Sequence, residues 1–151
     1  MITEIHKILL CTDGDEQAVK AEDFAVGIAK STGALICSLY VINPFLKKFA
    51  DEIYAVGRDE YRDYIDRTLH DEGNKVLKEF QEKACNQEVK VIPKMRYGSP
   101  EEEILQEMEE GSYDLVVIGS KLLCSWWKRF ESYNLPEKIF RKTQRPVVFV
   151  R

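Results

Sequence analysis

Short apolar segments alternate with amphipathic segments along the sequence, and this alternation restricts the fold more than any other feature. The first predicted strand, at about 6–12, has a continuously apolar core from Ile8 to Cys11, as expected of a strand that is covered on both faces. Strands alternating with helices form right-handed parallel crossovers, so the sequence predicts an α/β three-layer sandwich. The further predicted strands lie at 34–42, 88–98, 113–119 and 146–150, and the helices at about 15–32, 58–84, 99–111 and from 134 onward.

Length and charge exclude several classes of protein. With 151 residues and a formal net charge of −4, the sequence predicts one domain over 1–151 without the basic excess of a nucleic-acid-binding face. The longest apolar run, 34–42, is too short to cross a bilayer, and the amino terminus does not resemble a signal peptide. We therefore expect a cytoplasmic protein without a membrane partner. The four cysteines lack metal-type spacing, which favours small buried side chains over disulfides and metal sites.

Two loops stand out at the edge of the sheet where ligands bind. In open parallel sheets, ligands lie beyond the carboxyl ends of the strands, where the strand order reverses. Thr12-Asp13-Gly14-Asp15 follows the first predicted strand, and Gly119-Ser120-Lys121 follows the fourth. Asp13 is the candidate binding residue, with a helix N-cap as the alternative interpretation.

Several segments together resemble the universal stress protein family over the whole length of the chain. They occur in the family's order: Thr12-Asp13, Val41-Ile42-Asn43-Pro44, RYGSPEEEIL at 96–105, YDLVVIGS at 113–120 and EKIFRKTQRPVVFV at 137–150. The resemblance implies a five-stranded parallel sheet of order 3-2-1-4-5, Rossmann-like or adenine-nucleotide-alpha-hydrolase-like. It also implies a homodimer and a role in stress responses. In ATP-binding members the matching positions, Thr12, Asp13 and Val41, hold adenine and ribose, and a glycine-rich loop opening at Gly119 and Ser120 holds the phosphates.

The phosphate loop departs from the family pattern. Leu122 and Ser132 stand where the pattern has its second and third glycines. Glycine suits such a loop because backbone N–H groups must approach the phosphate closely, often at positive φ, which a leucine side chain disfavours. We therefore expect that the protein has no resident cofactor and is not a tight ATP binder. Binding of ATP or another adenine nucleotide, with magnesium, remains the alternative.

The same loop carries an unusual cluster of aromatic and basic residues. These are Lys121, Trp126, Trp127, Lys128 and Arg129. One interpretation is that the tryptophans cover the sheet and fill the space of a nucleotide. The other is a patch that contacts an anion or an as yet unknown protein partner.

An enzyme is the weaker alternative. Asp13-x-Asp15 after an apolar strand resembles haloacid-dehalogenase-type phosphatases, in which two aspartates act beside magnesium. Glu16 follows where that motif has threonine or valine, and no acidic pair follows the fourth strand. His6 and His70 lack metal-ligand spacing. We therefore expect a binding or regulatory protein that is not an enzyme and has no metal site.

The last predicted strand suggests self-association. PVVFV at 146–150 ends the sequence, and as an outer strand it would expose an apolar edge, which invites pairing with another strand. We therefore expect a homodimer that pairs two copies of this strand.

Overall fold

The computed structural model describes residues 4–43, 58–119 and 135–151. Five strands and four helices alternate within these ranges. In chain order they are β1 (Lys7–Cys11), α1 (Glu16–Thr32), β2 (Leu35–Ile42), α2 (Arg58–Cys85), β3 (Val91–Tyr97), α3 (Pro100–Gly111), β4 (Leu115–Gly119), α4 (Leu135–Lys142) and β5 (Val147–Val150).

The predicted sheet is confirmed in strand order and direction. All neighbouring strands are parallel, and their order is β3-β2-β1-β4-β5. The central strand β1 pairs through Cys11 with Leu39 of β2 and with Ile118 of β4. Pro93 lies in β3 at one edge of the sheet, as predicted from its missing N–H group.

Helices cover both faces of the sheet, which explains why the central strands are apolar without alternation. Leu9 and Cys11 point into a core formed with residues of α3 and α4, such as Ile104 and Ile139. Ile8 and Leu10 point into a second core on the face of α1 and α2. Among the described helices, none is long and apolar enough to cross a membrane.

Serine is a common N-cap residue whose side chain accepts a hydrogen bond from the first turn. Ser99 occupies the N-cap position of α3, but within the described part of the chain its side chain makes no capping hydrogen bond. Instead, the Ser99 carbonyl accepts the Glu103 N–H at 3.0 Å, so the backbone alone closes the first turn. Cys11 and Cys37 are buried as predicted, whereas Cys85, at the end of α2, is exposed.

A buried carboxylate anchors α3 to the sheet. Glu107 is 1% exposed and accepts three short hydrogen bonds. The donors are Lys94 Nζ and Arg96 Nη1 of β3, both at 2.7 Å, and the Tyr113 hydroxyl at 2.7 Å. Arg96 also donates to Glu103 through Nε at 2.8 Å. This network fixes the edge strand β3 against α3.

Candidate functional site

Thr12 and Asp13 lie directly beyond the carboxyl end of β1. The Thr12 N–H donates to the Leu39 carbonyl at 3.1 Å, which adds one bond to the pairing of β1 with β2. Asp13 is partly exposed, and its Oδ1 accepts the Asp15 N–H at 3.0 Å. This Asx-type turn holds the Asp13 carboxylate in a fixed orientation at the start of α1.

Val41 and Gly119 flank this turn on the two neighbouring strands. Because Cys11, the last residue of β1, pairs with both Leu39 and Ile118, Thr12 and Asp13 follow β1 beside the carboxyl ends of β2 and β4, which carry Val41 and Gly119. Val41 and Gly119 are both buried. The structure therefore brings four of the predicted site residues together, at the place where the strand order reverses.

The main chain of Val41 faces the space beyond β1. Groups on alternate residues of a strand point to the same side, and the Leu39 carbonyl points toward β1, where it accepts the Thr12 N–H. The Ile42 carbonyl points the other way and accepts the Gly98 N–H at 2.9 Å. Val41 therefore directs its N–H and carbonyl groups toward the β1 side, beyond the point at which β1 ends.

The pKa of Tyr40 reflects the negative charges near the carboxyl edge of the sheet. Burial, with the negative charges of Glu72 and Asp13, raises the pKa of Tyr40 to about 12. The phenol therefore stays protonated at neutral pH, and the carboxylate of Asp13 acts on this part of the sheet.

Gly14 allows the turn to form. Its φ of +80° is in the left-handed region, and a Cβ at this position would lie 2.8 Å from Val76 Cγ2 of α2. Glycine is therefore needed both for the backbone conformation and for the close approach of α2.

We expect Gly14→Ala to lower the free energy of unfolding by about 1–2 kcal/mol, because alanine is strained in the left-handed region. Gly27→Ala is the matched control. Gly27 lies within α1, and in the described ranges no atom beyond its own stretch of helix comes within 4 Å of the place that a methyl group on it would occupy, so alanine should stabilise the protein by about 0.5–1 kcal/mol. Urea denaturation of both variants measures the difference. Equal effects of the two substitutions would show that the Gly14 turn is not strained by a side chain.

The remaining predicted site residues lie outside the described residues. They are Ser120, Lys121, Trp126, Trp127, Lys128 and Arg129, and the loop positions Leu122 and Ser132 lie there as well. Their roles stay predictions. In the described ranges, no group of three or more His, Cys, Asp or Glu side chains could hold a metal ion.

Glu22 was missed from the sequence, although it adjoins the site. It is 5% exposed and its Oε1 accepts the Thr12 hydroxyl at 3.2 Å. The sequence carried a signal for it, because Glu22 falls on the buried stripe of α1 between Ala18 and Ala25. A carboxylate among buried alanines indicates a specific partner.

Comparison with known proteins identifies the family. The family model described as "Universal stress protein family" matches residues 4–151. The chain belongs to the universal stress protein family. The resemblance inferred from the sequence segments is thereby confirmed.

Relatives within this family are similar over nearly the whole chain. The universal stress protein YxiE of Bacillus subtilis is 28% identical over 149 residues, which cover 97% of this chain and 99% of the relative. The universal stress protein MJ0531 of Methanocaldococcus jannaschii is 27% identical over 147 residues, covering 96% of this chain and 81% of the relative.

Solved universal stress proteins share the fold. UspA from Lactobacillus plantarum has a TM-score of 0.74 at 17% identity, with 99% of this chain and 100% of that chain covered. A family protein from Arabidopsis thaliana, solved with AMP bound, has a TM-score of 0.67 at 16% identity, covering 96% and 90%. A universal stress protein solved in complex with cAMP has a TM-score of 0.69 at 18% identity, covering 99% of both chains.

Proposed function

We propose that this chain is a cytoplasmic regulatory protein of stress responses that binds adenine nucleotides weakly and does not turn them over. One observation carries the proposal: Thr12, Asp13, Val41 and Gly119 meet at the switch point of the sheet. Structural neighbours were solved with AMP and with cAMP, which supports an adenine nucleotide as the ligand class.

The chemistry of this edge suits the adenosine end of a nucleotide. The Asp13 carboxylate can accept hydrogen bonds from ribose hydroxyl groups. The N–H and carbonyl groups of Val41, directed beyond the end of β1, can pair with the donor and acceptor edge of adenine. Gly119 has no side chain, so a ligand beside the end of β4 would meet its main chain.

The identities of the loop residues support weak retention of a triphosphate. Leu122 and Ser132 replace glycines at which the family pattern brings bare backbone to the phosphates. We therefore favour recognition of the nucleoside and first phosphate over recognition of the terminal phosphates, with tight ATP binding as the alternative. Membership of the family favours binding over the alternative of a magnesium-dependent phosphatase using Asp13 and Asp15.

Titration calorimetry with AMP tests this function, with GMP as the matched control. We expect saturable AMP binding with one site per chain and a dissociation constant in about the micromolar to millimolar range. GMP should bind at least about tenfold more weakly, because guanine exchanges the donor and acceptor groups that face Val41. Equal binding of the two nucleotides, or no saturable AMP binding, would refute the proposal.

We further propose that two copies of the chain pair through β5, with the partner being a second copy of this protein. β5 lies at the outer edge of the sheet, and Phe140 of α4 beside it is 76% exposed. A cleft next to this edge is lined by Phe140, Pro146, Val147 and Phe149. An exposed apolar edge of this kind is suited to association.

Light scattering at micromolar concentration should give the mass of a dimer. Phe140→Asp should raise the dimer dissociation constant at least about tenfold, because it places an unpaired charge in the interface. Tyr64→Asp is the control, since Tyr64 is also an exposed aromatic but lies on α2. A stable monomer of the unmodified protein, or equal weakening by both variants, would overturn the pairing.

A further inference from the structure

A chain of hydrogen bonds connects a buried acid to the turn that carries Asp13. Glu22 Oε1 accepts the Thr12 hydroxyl at 3.2 Å, and the same hydroxyl oxygen accepts the Gly14 N–H at 3.3 Å. A hydroxyl group has one hydrogen and two lone pairs. Donation to Glu22 therefore orients the Thr12 oxygen so that a lone pair faces the Gly14 N–H.

This bond helps to fix the position of Asp13. Thr12 is 1% exposed and is held by the Leu39 carbonyl, so it is a rigid support. Asp13 lies between Thr12 and Gly14, and its own Oδ1 is held by the Asp15 N–H. Weakening the bond between Thr12 and Gly14 would loosen the backbone on one side of Asp13.

The charged groups around Glu22 come from three elements. The Nζ atom of Lys83, in α2, lies 3.9 Å from Glu22 Oε2 and 2.6 Å from Asp23 Oδ1. Glu79 of α2 borders the same cavity of about 150 Å³, together with Gly14 and Lys83. Asp13 faces Glu22 from the turn. Lys83 thus favours the charged form of Glu22, whereas the acidic neighbours disfavour it.

Burial, with the negative charges of Asp23 and Asp13, raises the pKa of Glu22 against the opposing effects of Lys83 and of the Thr12 hydrogen bond. The acid therefore takes up a proton at a higher pH than an ordinary glutamate does. A protonated carboxyl group is a weaker acceptor for the Thr12 hydroxyl, and its own O–H competes with the Gly14 N–H for the Thr12 oxygen. Either change weakens the support of the turn.

We propose that Glu22 is a positioning residue that regulates the proposed nucleotide site, so that affinity for the adenosine end falls when Glu22 is protonated. This inference rests on the proposed function. Glu22 acts through Thr12 and Gly14, and it does so from within the protein, without contacting the ligand.

Adenosine is the probe for the effect on binding, because it lacks the phosphate groups of a nucleotide that would themselves titrate. We expect its dissociation constant to rise about three- to tenfold as the pH is lowered from neutral until Glu22 is protonated, and this rise should begin at a higher pH than an ordinary glutamate would give. Glu22→Gln keeps the size of the side chain and cannot ionise, so its adenosine affinity should not follow the same pH dependence. Asp23→Asn is the control, because Asp23 also contacts Lys83 but is not bonded to Thr12; it should keep the pH dependence, displaced to lower pH because a negative charge near Glu22 is removed.

The NMR signal of the Gly14 amide tests the connection in the protein without ligand. Its chemical shift should follow one titration in the unmodified protein and in Asp23→Asn, and should lose that titration in Glu22→Gln. Thr12→Val removes the connecting hydroxyl and should also abolish it, although Glu22 is still present. A Gly14 signal that does not titrate, or titrates equally in Glu22→Gln, overturns the inference even if adenosine binds.

The outcomes separate this inference from the proposed function. If the Gly14 amide titrates through Glu22 and adenosine does not bind, the positioning role stands and the proposed function fails. If adenosine binds with the same pH dependence in Glu22→Gln as in the unmodified protein, the site stands and Glu22 does not regulate it.

Discussion

Replacing Glu107 with alanine should lower the free energy of unfolding by about 2–4 kcal/mol, because it removes three hydrogen bonds to a buried carboxylate, one of them from the buried Tyr113 hydroxyl. Glu107 is buried and accepts hydrogen bonds from Lys94, Arg96 and Tyr113. Without this carboxylate, the buried Tyr113 hydroxyl loses a charged acceptor, while Arg96 keeps the more exposed carboxylates, such as Glu103. The edge strand β3 would also lose much of its attachment to α3.

The pKa of Glu107 gives this contribution a pH dependence. Burial by itself would raise the pKa, but the hydrogen bonds from Lys94, Tyr113 and Arg96 together lower it. Since the folded-state pKa is below that of the unfolded chain, the stabilisation is present above the unfolded pKa. It is lost as the pH falls through the folded pKa.

Chemical denaturation at neutral and at acidic pH measures both effects. Glu109→Ala is the matched control, because Glu109 is an exposed residue of the same helix, and its replacement should change stability by about 0.5 kcal/mol or less. The difference in the free energy of unfolding between Glu107→Ala and Glu109→Ala should become smaller as the pH is lowered. A loss below about 1 kcal/mol for Glu107→Ala at neutral pH would contradict the role given to this network.

Replacing Asp13 with alanine should weaken AMP binding by about 10- to 100-fold, which corresponds to the loss of a hydrogen bond to a charged group. Asp13 is an acidic side chain that follows the end of β1 beside the end of β2, at the switch point of the sheet. Calorimetric titration of the variant with AMP gives the change in the dissociation constant. A thermal melt of the same sample shows whether the fold is retained.

Asp15→Ala is the control for this substitution. Asp15 has the same charge and lies in the same turn, where its N–H donates to Asp13. Its replacement keeps that N–H group and should change AMP affinity less than about threefold. Equal losses in the two variants would indicate that the general negative charge of the turn matters, and would remove the specific role of Asp13.

The sheet was predictable from the sequence because each strand carries its own signal. The continuous apolar run of β1 requires cover on both faces, and Pro93 requires an edge position. The order of the strands came from the family resemblance, and the structure confirms it. The candidate residues Thr12 and Asp13 were predictable for a similar reason, since they directly follow a strand that must lie inside the sheet.

The cationic partners of Glu22 and Glu107 were not predictable, because they are distant in the sequence. Glu22 meets Lys83 of α2, and Glu107 meets Lys94 and Arg96 of β3. The helical pattern shows that each carboxylate faces inward, but it does not show which cation lies opposite. Charge pairing of this kind depends on the packing of helices on the sheet, which the local sequence does not encode.

The loss of glycine from the phosphate loop, by contrast, is visible in the sequence itself. Leu122 and Ser132 change what the loop can contact without changing the residues proposed to hold adenosine. The two halves of the proposed site should therefore behave differently toward the two ends of ATP. The proposed function depends on this separation between binding of adenosine and binding of the terminal phosphates.

The most direct test is the ratio of the dissociation constants for AMP and ATP, measured by calorimetry on the unmodified protein with magnesium present. A site that holds adenosine without binding the terminal phosphates should bind the two nucleotides within about fivefold of each other, a difference near 1 kcal/mol. ATP binding that is about 100-fold tighter than AMP binding would show that the loop beyond Gly119 does hold a triphosphate, and would contradict the proposed separation.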